Sequence, residues 1–596
     1  MSLSKLWDGL NESFDCLSSH FHSLSPNTQK FVITSAGLVT AYFATHCVKD
    51  YLHKQRLHEI VEKRQTERNE SLRRADEFSR KITEARRNQI SNMDFDTLLA
   101  ALKSGEVKPT EALHTYQWKA LQAHKRTNCI TLFIKEADDW ALQLEKSPPE
   151  PRPPLYGMPM SLKECVPVKG YDVTRGYVNE CFMPSERDCV MVEQIKALGG
   201  IPFVQTNVPQ CLLAYSCYNP IYGTTNHQDH KDRTSGGSSG GESALIGAGG
   251  SLLGIGGDVG GSIRFPCHFC GIAGIKPSHI RFSHRGVQGS VPGRPLINAS
   301  DGPMAPDVHT CVEFLKATWS SHFIHERDPY TAPVTWNDKH FTKGNHFTIG
   351  YYLDDGWFTP TPALQRAVLE SKKILESQGH VLVPFKPPRI KEAIAMFIGA
   401  VSVDGGRYLL EHIGNDLMDP RYKSLLGLYK LPFFIQDILR FLVQPIYPRL
   451  AHALTAMPRN TSELRKKYEA IEQYRYEYIE EMQKLGLDAI LCPVTVTPAP
   501  HHEVPVKLFA VVSYTGVFNL LDFAAGTVPV TQVTKADDDA LAGYPTIDPW
   551  YRLAKETTKG AIGLSVGVQV AAPPFREEVV LRIMQDLENH HKHTDY

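Results

Sequence analysis

The chain has 596 residues, of which 42% are hydrophobic and 22% are charged, and its formal net charge is -1. This is ordinary globular composition with ample length for a buried core, and it allows two domains or one large, decorated domain. With no strong basic or acidic balance, nucleic acid and other polyanions are not expected partners.

An uncharged stretch at residues 31–48 lies between Lys30 and Lys49. As a helix it would reach about 27 Å, barely enough to cross the hydrocarbon core of a bilayer. The polar segment before it, residues 1–30, is too long and too acidic to be the leader of a signal peptide. We therefore predict a membrane-spanning or deeply anchored helix, with a short buried helix as the alternative.

The charges on the two sides of this stretch differ. Acidic residues outnumber basic ones before it, whereas a basic group follows it: Lys49, Lys54, Arg56, Lys63 and Arg64. Because Lys and Arg concentrate on the cytosolic side of a membrane helix, the bulk of the chain is predicted to face the cytosol. The twelve cysteines are scattered among apolar neighbours, which is typical of reduced thiols in that compartment.

Residues 49–90 are highly charged and carry only a weak helical stripe of apolar side chains. We predict that they form a solvated helical stalk, which joins the anchor to a catalytic domain over residues 91–596. In that domain helical patterns alternate with strand patterns, as at 363–378 followed by 381–385. The alternation predicts an α/β fold with helices packed on both faces of a sheet.

Three segments rich in small residues lie between residues 156 and 277: 157–164 (GMPMSLKE), 233–242 (RTSGGSSGGE) and 256–266 (GGDVGGSIRFP). A P-loop needs a lysine directly after its last glycine, and neither glycine-rich loop has one. A dinucleotide-binding GxGxxG pattern fails because Val259 stands where the third glycine belongs. Nucleotide binding is therefore not favoured.

Residues 236–240 (GGSSG) fit GxSxG, the nucleophile elbow of α/β hydrolases, and on that interpretation Ser238 is the nucleophile. However, no strongly apolar strand directly precedes the segment, and His227 and His268 lie in no recognisable motif. Glycine- and serine-rich loops also fit this pattern by chance. The elbow is kept as an alternative assignment.

Together and in this order, the three segments resemble the amidase-signature family of serine hydrolases. The resemblance covers nearly the whole chain from Tyr156 to Glu588, and it is closest to membrane-associated members that hydrolyse fatty acid amides. It implies the amidase-signature α/β fold, a mixed central sheet covered by helices on both faces, here preceded by a transmembrane helix. No metal or organic cofactor is implied, and the lone CxxC of Cys267 and Cys270 lacks the second pair that a structural zinc site needs.

The resemblance implies a catalytic role for three residues. Lys163 matches the family's base, Ser238 the bridging serine that follows a cis peptide, and Ser262 the acyl-forming nucleophile. A serine hydroxyl needs a base to take its proton, and a lysine can be that base only when neutral, which burial favours. The bridging hydroxyl can donate as well as accept, so it can hand the proton to the leaving amine.

The backbone amides of Val259, Gly260, Gly261 and Ser262 match the family's oxyanion hole. Glycines let backbone N–H groups approach a developing negative charge without interference from a side chain. One such donor is worth about 3 kcal/mol. Taken singly, a lysine and a glycine turn would be ordinary surface features, but the three segments together favour catalysis.

Residues 424–454 are unusually apolar, and prolines divide them into pieces too short to span a bilayer. Basic residues interleave with the apolar ones, as on an interfacial helix that meets anionic headgroups. The resemblance implies a membrane cap beside the entrance to an acyl channel, with four apolar anchors: Phe433, Phe434, Ile438 and Leu442. A pair of core helices is the alternative.

The resemblance implies three residues that line the acyl channel: Leu212, Tyr215 and Trp550. Tyr215 stands where a phenylalanine is expected, and Ser402 or Val403 replaces the aromatic residue expected just before residues 404–406. A lipid channel is still predicted, while these departures leave the preferred chain length open.

We therefore predict a membrane-bound serine hydrolase that cleaves N-acylethanolamines and primary fatty amides to fatty acid and amine. The resemblance further implies a homodimer on the endoplasmic reticulum or another endomembrane. One alternative is a general or amidotransferase-type amidase that delivers ammonia to a partner, which would lack the membrane segments. The other is a catalytically silent scaffold, against which the intact catalytic positions argue.

Overall fold

The computed structural model describes residue 21, residues 23–293 and residues 296–594, so most of the predicted polar segment 1–30 lies outside it. The chain divides into two compact units, Met1–Ile60 and Val61–Tyr596. The second unit holds the sheet and the three segments rich in small residues.

The strands, in chain order, are β1 Ile130–Phe133, β2 Pro159–Lys163, β3 Ile201–Thr206, β4 Tyr218–Asn219, β5 Gly223–Thr224, β6 Gly254–Asp258, β7 Ala273–Lys276, β8 Ser300–Ala305, β9 Thr348–Tyr351, β10 Val381–Pro384, β11 Ala489–Pro493, β12 Ala524–Gln532 and β13 Ser565–Ala572. The helices begin with α1 Pro26–Ser79, α2 Glu84–Ser91, α3 Phe95–Ser104, α4 Pro109–Thr127, α5 Ala137–Lys146, α6 Val190–Ala197, α7 Gly240–Gly247, α8 Arg264–Cys270, α9 Val308–Thr318, α10 Phe323–Arg327, α11 Asp338–Phe341 and α12 Pro362–Ser377. They continue with α13 Ile390–Val401, α14 Arg407–Gly414, α15 Lys423–Tyr429, α16 Phe433–Val443, α17 Pro448–Ala453, α18 Thr461–Lys484, α19 Val504–Lys507, α20 Ser513–Leu520, α21 Lys535–Ala540, α22 Pro549–Thr558 and α23 Glu577–Thr594.

Among the described residues, eleven strands form one sheet in the order β1-β3-β2-β6-β8-β7-β12-β13-β11-β9-β10. The sheet is mixed: β2 runs parallel to β3 and β6, and β9 runs parallel to β10 and β11, while the other neighbours are antiparallel. Helices pack on this sheet, including α8, α12 and α23 on its central strands. The predicted α/β fold with a mixed, helix-covered sheet is confirmed.

The parallel pair of β2 and β6 positions the site. Ser161 and Leu162 of β2 lie opposite Gly254 and Ile255 of β6. Because the carboxyl ends of parallel strands meet at the same edge of a sheet, Lys163 at the end of β2 lies beside the turn that follows β6. Gly254 is required in β6, since a Cβ there would lie 2.2 Å from the Glu242 carboxylate.

Helix α1 contains the predicted anchor. Its residues 31–52 expose apolar side chains, among them Phe31, Leu38 and Phe43 at 72%, 68% and 61%. By length and composition the helix could cross a membrane.

The prediction of a solvated stalk is wrong for residues 61–79, the end of α1. Arg64 and Arg68 are buried there; Arg64 pairs with Asp172, and Arg68 donates a hydrogen bond of 2.6 Å to the Ile130 carbonyl. The charged side chains of this segment predicted exposure to solvent. That prediction failed because the partners that allow their burial, such as Asp172, lie far away in the sequence. This part of α1 therefore belongs to the packed catalytic unit.

Candidate active site

Lys163 lies in the interior, with only 1% of its side chain exposed. Its Nζ donates to Ser238 Oγ at 2.8 Å and to the Gly257 carbonyl at 2.9 Å. Apolar neighbours on β2, Met160 and Leu162, are fully buried. A surface-cation interpretation of this lysine is thereby excluded.

Ser238 lies in the loop before α7, and the Gly237–Ser238 peptide is cis, as the resemblance implies. A Cβ at Gly237 would lie 2.5 Å from the carbonyls of Ala214 and Ser216, so only glycine fits. The amide of Ser239 donates to the Ser262 carbonyl at 3.2 Å. The loop that holds Ser238 therefore contacts the turn that carries Ser262.

Ser262 lies between the end of β6 and the start of α8, and it is partly exposed to a cavity. The turn is held by the Asp258 carboxylate, which accepts the amides of Gly261 at 2.7 Å and Ile263 at 3.0 Å. Arg264 donates to the same carboxylate from Nε at 3.0 Å and from Nη2 at 2.8 Å. Both charges are fully buried.

The Asp258–Arg264 pair is embedded in a wider network. Burial alone would raise the pKa of Asp258, but the Arg264 charge and its hydrogen bonds outweigh burial and hold that pKa well below the usual range. Arg264 also donates to the Thr515 carbonyl at 3.0 Å and to Asn519 Oδ1 at 2.6 Å. The hydroxyl of Thr515 in turn donates to the Gly260 carbonyl at 2.5 Å. The turn before Ser262 is therefore fixed from both sides.

The four amides predicted for the oxyanion hole are not equivalent. The Gly261 N–H is already taken up by Asp258. In the part of the chain that the structure describes, the amides of Val259, Gly260 and Ser262 have no protein acceptor. Three amides are therefore available to an oxyanion while Gly261 keeps its bond.

Sequence reasoning missed the network beneath this turn. Its signal was available in part, since Asp258 and Arg264 are the two charged residues within an otherwise uncharged segment, 256–266. The partners on α20, Thr515 and Asn519, could not be found because they lie far away in sequence.

A cavity of about 190 Å³ adjoins Ser262. Its wall is mainly apolar and includes Tyr215, Phe265, Phe397, Phe509 and Val512. Of the three channel residues predicted, the structure places Tyr215 on this wall, with its hydroxyl bonded to the Leu508 carbonyl at 3.1 Å.

Leu212 and Trp550 do not line this cavity, so those two predictions need correction. The neighbouring Leu213 points to it instead, because Leu212 lies in a tight turn with a positive φ of 55°. Trp550 packs behind the cavity wall, with its ring centroid 5.2 Å from that of Phe509, which lines the cavity. Of the two residues considered for the position before residues 404–406, Ser402 lines the cavity and Val403 does not. Phe397 on α13 also contributes an aromatic ring to the wall.

The apolar segment 424–454 forms three short helices, α15, α16 and α17. Their inner side chains, among them Leu428, Gln436 and Ala453, line the cavity. The four predicted anchors face outward: Phe433, Phe434, Ile438 and Leu442 are 38%, 64%, 54% and 60% exposed. A pair of core helices would not leave this face uncovered.

The histidines required by the elbow interpretation have structural roles. His227 Nε2 bonds to the Phe269 carbonyl at 3.0 Å, and His268 Nδ1 accepts the Gly567 amide at 2.9 Å. Burial lowers the pKa of His268 to about 4. Neither ring is hydrogen-bonded to Ser238, so the elbow assignment lacks the histidine base that it requires. Across the described residues, no cluster of His, Cys, Asp and Glu is suited to a metal ion.

The fold is α/β, and its candidate site pairs a buried lysine with a serine, whereas the two histidines considered above are bonded elsewhere. The Amidase family model matches residues 111–581, and the chain belongs to this amidase-signature family, a class of serine hydrolases. The predictions of the family and of an enzyme are confirmed.

Within this family, the chain is similar to proteins named as fatty acid amide hydrolases. The chain is 50% identical over 539 residues to Fatty acid amide hydrolase 1 of Caenorhabditis elegans, which covers 90% of this chain and 94% of the relative. It is 39% identical over 518 residues to Fatty-acid amide hydrolase 1 of Sus scrofa, covering 85% and 88%. A solved structure titled Fatty acid amide hydrolase has the same fold, with a TM-score of 0.75 at 24% identity over 89% of this chain and 95% of that one.

Proposed function

We propose that this protein hydrolyses amides of long-chain fatty acids, such as N-acylethanolamines and primary fatty amides, to fatty acid and amine. The observation that carries the proposal is the apolar cavity, which adjoins Ser262 at one side and the cap helices at the other. The names of the similar relatives agree with this substrate class.

In the acylation step, Ser262 Oγ attacks the amide carbonyl. Its proton passes to Ser238 Oγ, whose own proton passes to the Lys163 amine 2.8 Å away. The negative charge on the carbonyl oxygen is stabilised by the amides of the turn, each worth about 3 kcal/mol. When the C–N bond breaks, Lys163 returns the proton through Ser238 to the leaving nitrogen, and the acyl group remains on Ser262 as an ester.

In the second step a water molecule attacks this ester. The same path takes a proton from the water to Lys163 and returns one to Ser262 Oγ, releasing the fatty acid. The two steps consume one water for each amide and leave the enzyme unchanged. All groups needed for proton transfer are side chains of this chain.

We further propose that the protein is held on a membrane by α1 and by the cap. The exposed apolar residues of α16 support the second contact, because burying one large side chain is worth about 1.5–3 kcal/mol. The basic residues that follow 31–48 support a cytosolic catalytic unit. The endoplasmic reticulum or another endomembrane remains a prediction from the family resemblance. Homodimerisation remains a prediction from the family resemblance.

The amidotransferase-type alternative makes a different prediction for the purified chain. Full-length protein in detergent should hydrolyse long-chain ethanolamides and primary amides without a partner, and faster than acetamide. Hydrolysis of acetamide alone, or activity only after a second protein is added, would contradict the proposed function.

A further inference from the structure

A second cavity of about 450 Å³ lies on the other side of α17 from the acyl cavity. Residues of α17 alternate between the two: Leu450 and Ala453 line the acyl cavity, whereas Arg449 and His452 line the second one. The two cavities share no lining residue. The second cavity therefore has no part in the reaction described above.

The lining of the second cavity is cationic. Lys391, Arg440, Arg449 and His452 contribute to it, and none of its lining residues is acidic. Lys391 and Arg440 are exposed and form no ion pair within the described chain. Asp437, the one carboxylate on α16, also feels the Arg440 charge but is paired with Arg459 at 2.6 Å.

Arg449 is also able to serve a ligand. Its Nε donates to the Trp357 carbonyl at 2.7 Å, and its Nη1 is paired with Asp548. Its Nη2 makes no hydrogen bond in the described structure, so it can donate into the cavity. The bonds already formed hold the planar guanidinium in one orientation, which favours recognition of a phosphate or carboxylate.

Exposed apolar side chains accompany this cavity. Ile547 lines it and is 80% exposed, and Phe441 and Ile446, which lie close in sequence to the lining residues Arg440 and Gln444, are 79% and 65% exposed. Exposed cations beside exposed apolar side chains match a phospholipid, in which the phosphate lies just outside the acyl chains. A soluble anion would make no use of the neighbouring apolar side chains.

We propose that this cavity binds the phosphate of an anionic phospholipid headgroup. Lys391 and Arg440 supply the unpaired charges, and Arg449 supplies an oriented donor. Because α17 separates this headgroup from the acyl cavity, a bound lipid would fix the cap at a defined depth in the membrane. The inference rests on the proposed membrane contact of the cap, but not on the identity of the amide substrate.

The test is a calorimetric titration of the full-length protein in neutral detergent with dihexanoyl phosphatidic acid and, separately, with inorganic phosphate. The double variant Lys391→Gln/Arg440→Gln should bind the short-chain lipid about tenfold or more weakly than the parent, since it loses two charge-assisted contacts. The matched control Lys423→Gln/Lys430→Gln changes the cap's charge equally outside this cavity, and should stay within about twofold of the parent.

Three results would overturn the proposal: no binding of the lipid to the parent, equal weakening in both double variants, or inorganic phosphate binding as tightly as the lipid. The last would assign the cavity to a free anion. Both double variants should hydrolyse a water-soluble short amide at the parental rate. If that reaction fails in the parent as well, the proposed function is at fault and the titration still decides the headgroup site.

Discussion

The Lys163 amine is held by two uncharged oxygens, the Ser238 hydroxyl and the Gly257 carbonyl. This arrangement favours proton exchange with Ser238 over a structural ion pair. The fold therefore brings Lys163 and Ser238, which were predicted from two separate sequence segments, into the contact that proton transfer needs.

Replacing Lys163 by Ala should slow amide hydrolysis by about 10²–10⁴-fold and slow an activated ester much less. The reason is that an amine leaves only with a proton, whereas an activated alcohol leaves without one. The measurement is the ratio of amide to ester turnover in variant and parent. Lys169→Ala, an exposed lysine after the same strand, is the control, and equal losses for both substrates would contradict the role given to Lys163.

Asp258→Asn should lower the free energy of unfolding by about 3 kcal/mol, because it leaves the buried Arg264 charge without its partner. The pKa of folded Asp258 lies below that of an unfolded aspartate. Its contribution is therefore complete at neutral pH and is lost as the pH falls through the folded pKa. The difference in Tm between variant and parent should shrink in acid.

Thermal unfolding followed by tryptophan fluorescence at several pH values measures this difference. Asp139→Asn, an exposed aspartate, should match the parent throughout. If Asp258→Asn and the parent have the same Tm at neutral pH, the Asp258–Arg264 pair is not needed to hold the turn. The same conclusion follows if their Tm values differ by a constant amount from neutral pH into acid.

At the scale of elements, the sequence predicted the alternation of helices and strands and the helix-covered sheet, but not the surroundings of the site. The predicted helix 363–378 and strand 381–385 correspond to α12 and β10, because the hydrophobic period and the glycine between them identify such elements locally. The docked end of α1 and the Asp258–Arg264 network depend on partners from distant elements. Local patterns carry no information about such partners.

Helix α17 separates the acyl cavity from the second cavity. Ala453 lines the acyl cavity, and its small side chain leaves room there for an acyl chain. Ala453→Trp should reduce turnover of a long-chain amide about tenfold or more while sparing a short one, because overpacking fills the cavity but leaves the catalytic loops in place. The measurement is kcat/KM of variant and parent for a series of amides of increasing acyl-chain length. Ala540→Trp, at an exposed alanine, is the control. Uniform loss across chain lengths would exclude Ala453 from the channel wall.

At the scale of the whole molecule, α1 and the cap each expose several large apolar side chains within the described residues. If both contact the membrane, deleting residues 1–50 should leave an active protein that still floats with liposomes. Adding Phe434→Asp and Leu442→Asp should release it and reduce turnover of long-chain amides, while a soluble short amide is hydrolysed as before.

The control for that experiment is Leu369→Asp with Ile562→Asp in the same truncated chain. These side chains are also exposed, at 40% and 46%, but lie outside the cap, so they should not alter flotation. If the cap variant loses both activities and unfolds, the segment is part of the core and the membrane contact is wrong.

The central claim is that Ser262 carries the acyl group, with Ser238 as the bridge. Intact-mass and peptide mass spectrometry after treatment with a fluorophosphonate measure this directly. The parent should gain one adduct on the peptide that contains Ser262, and Ser262→Ala should gain none while keeping the parental Tm. An adduct on Ser238, or full labelling of Ser262→Ala, would contradict the account and restore the nucleophile-elbow assignment.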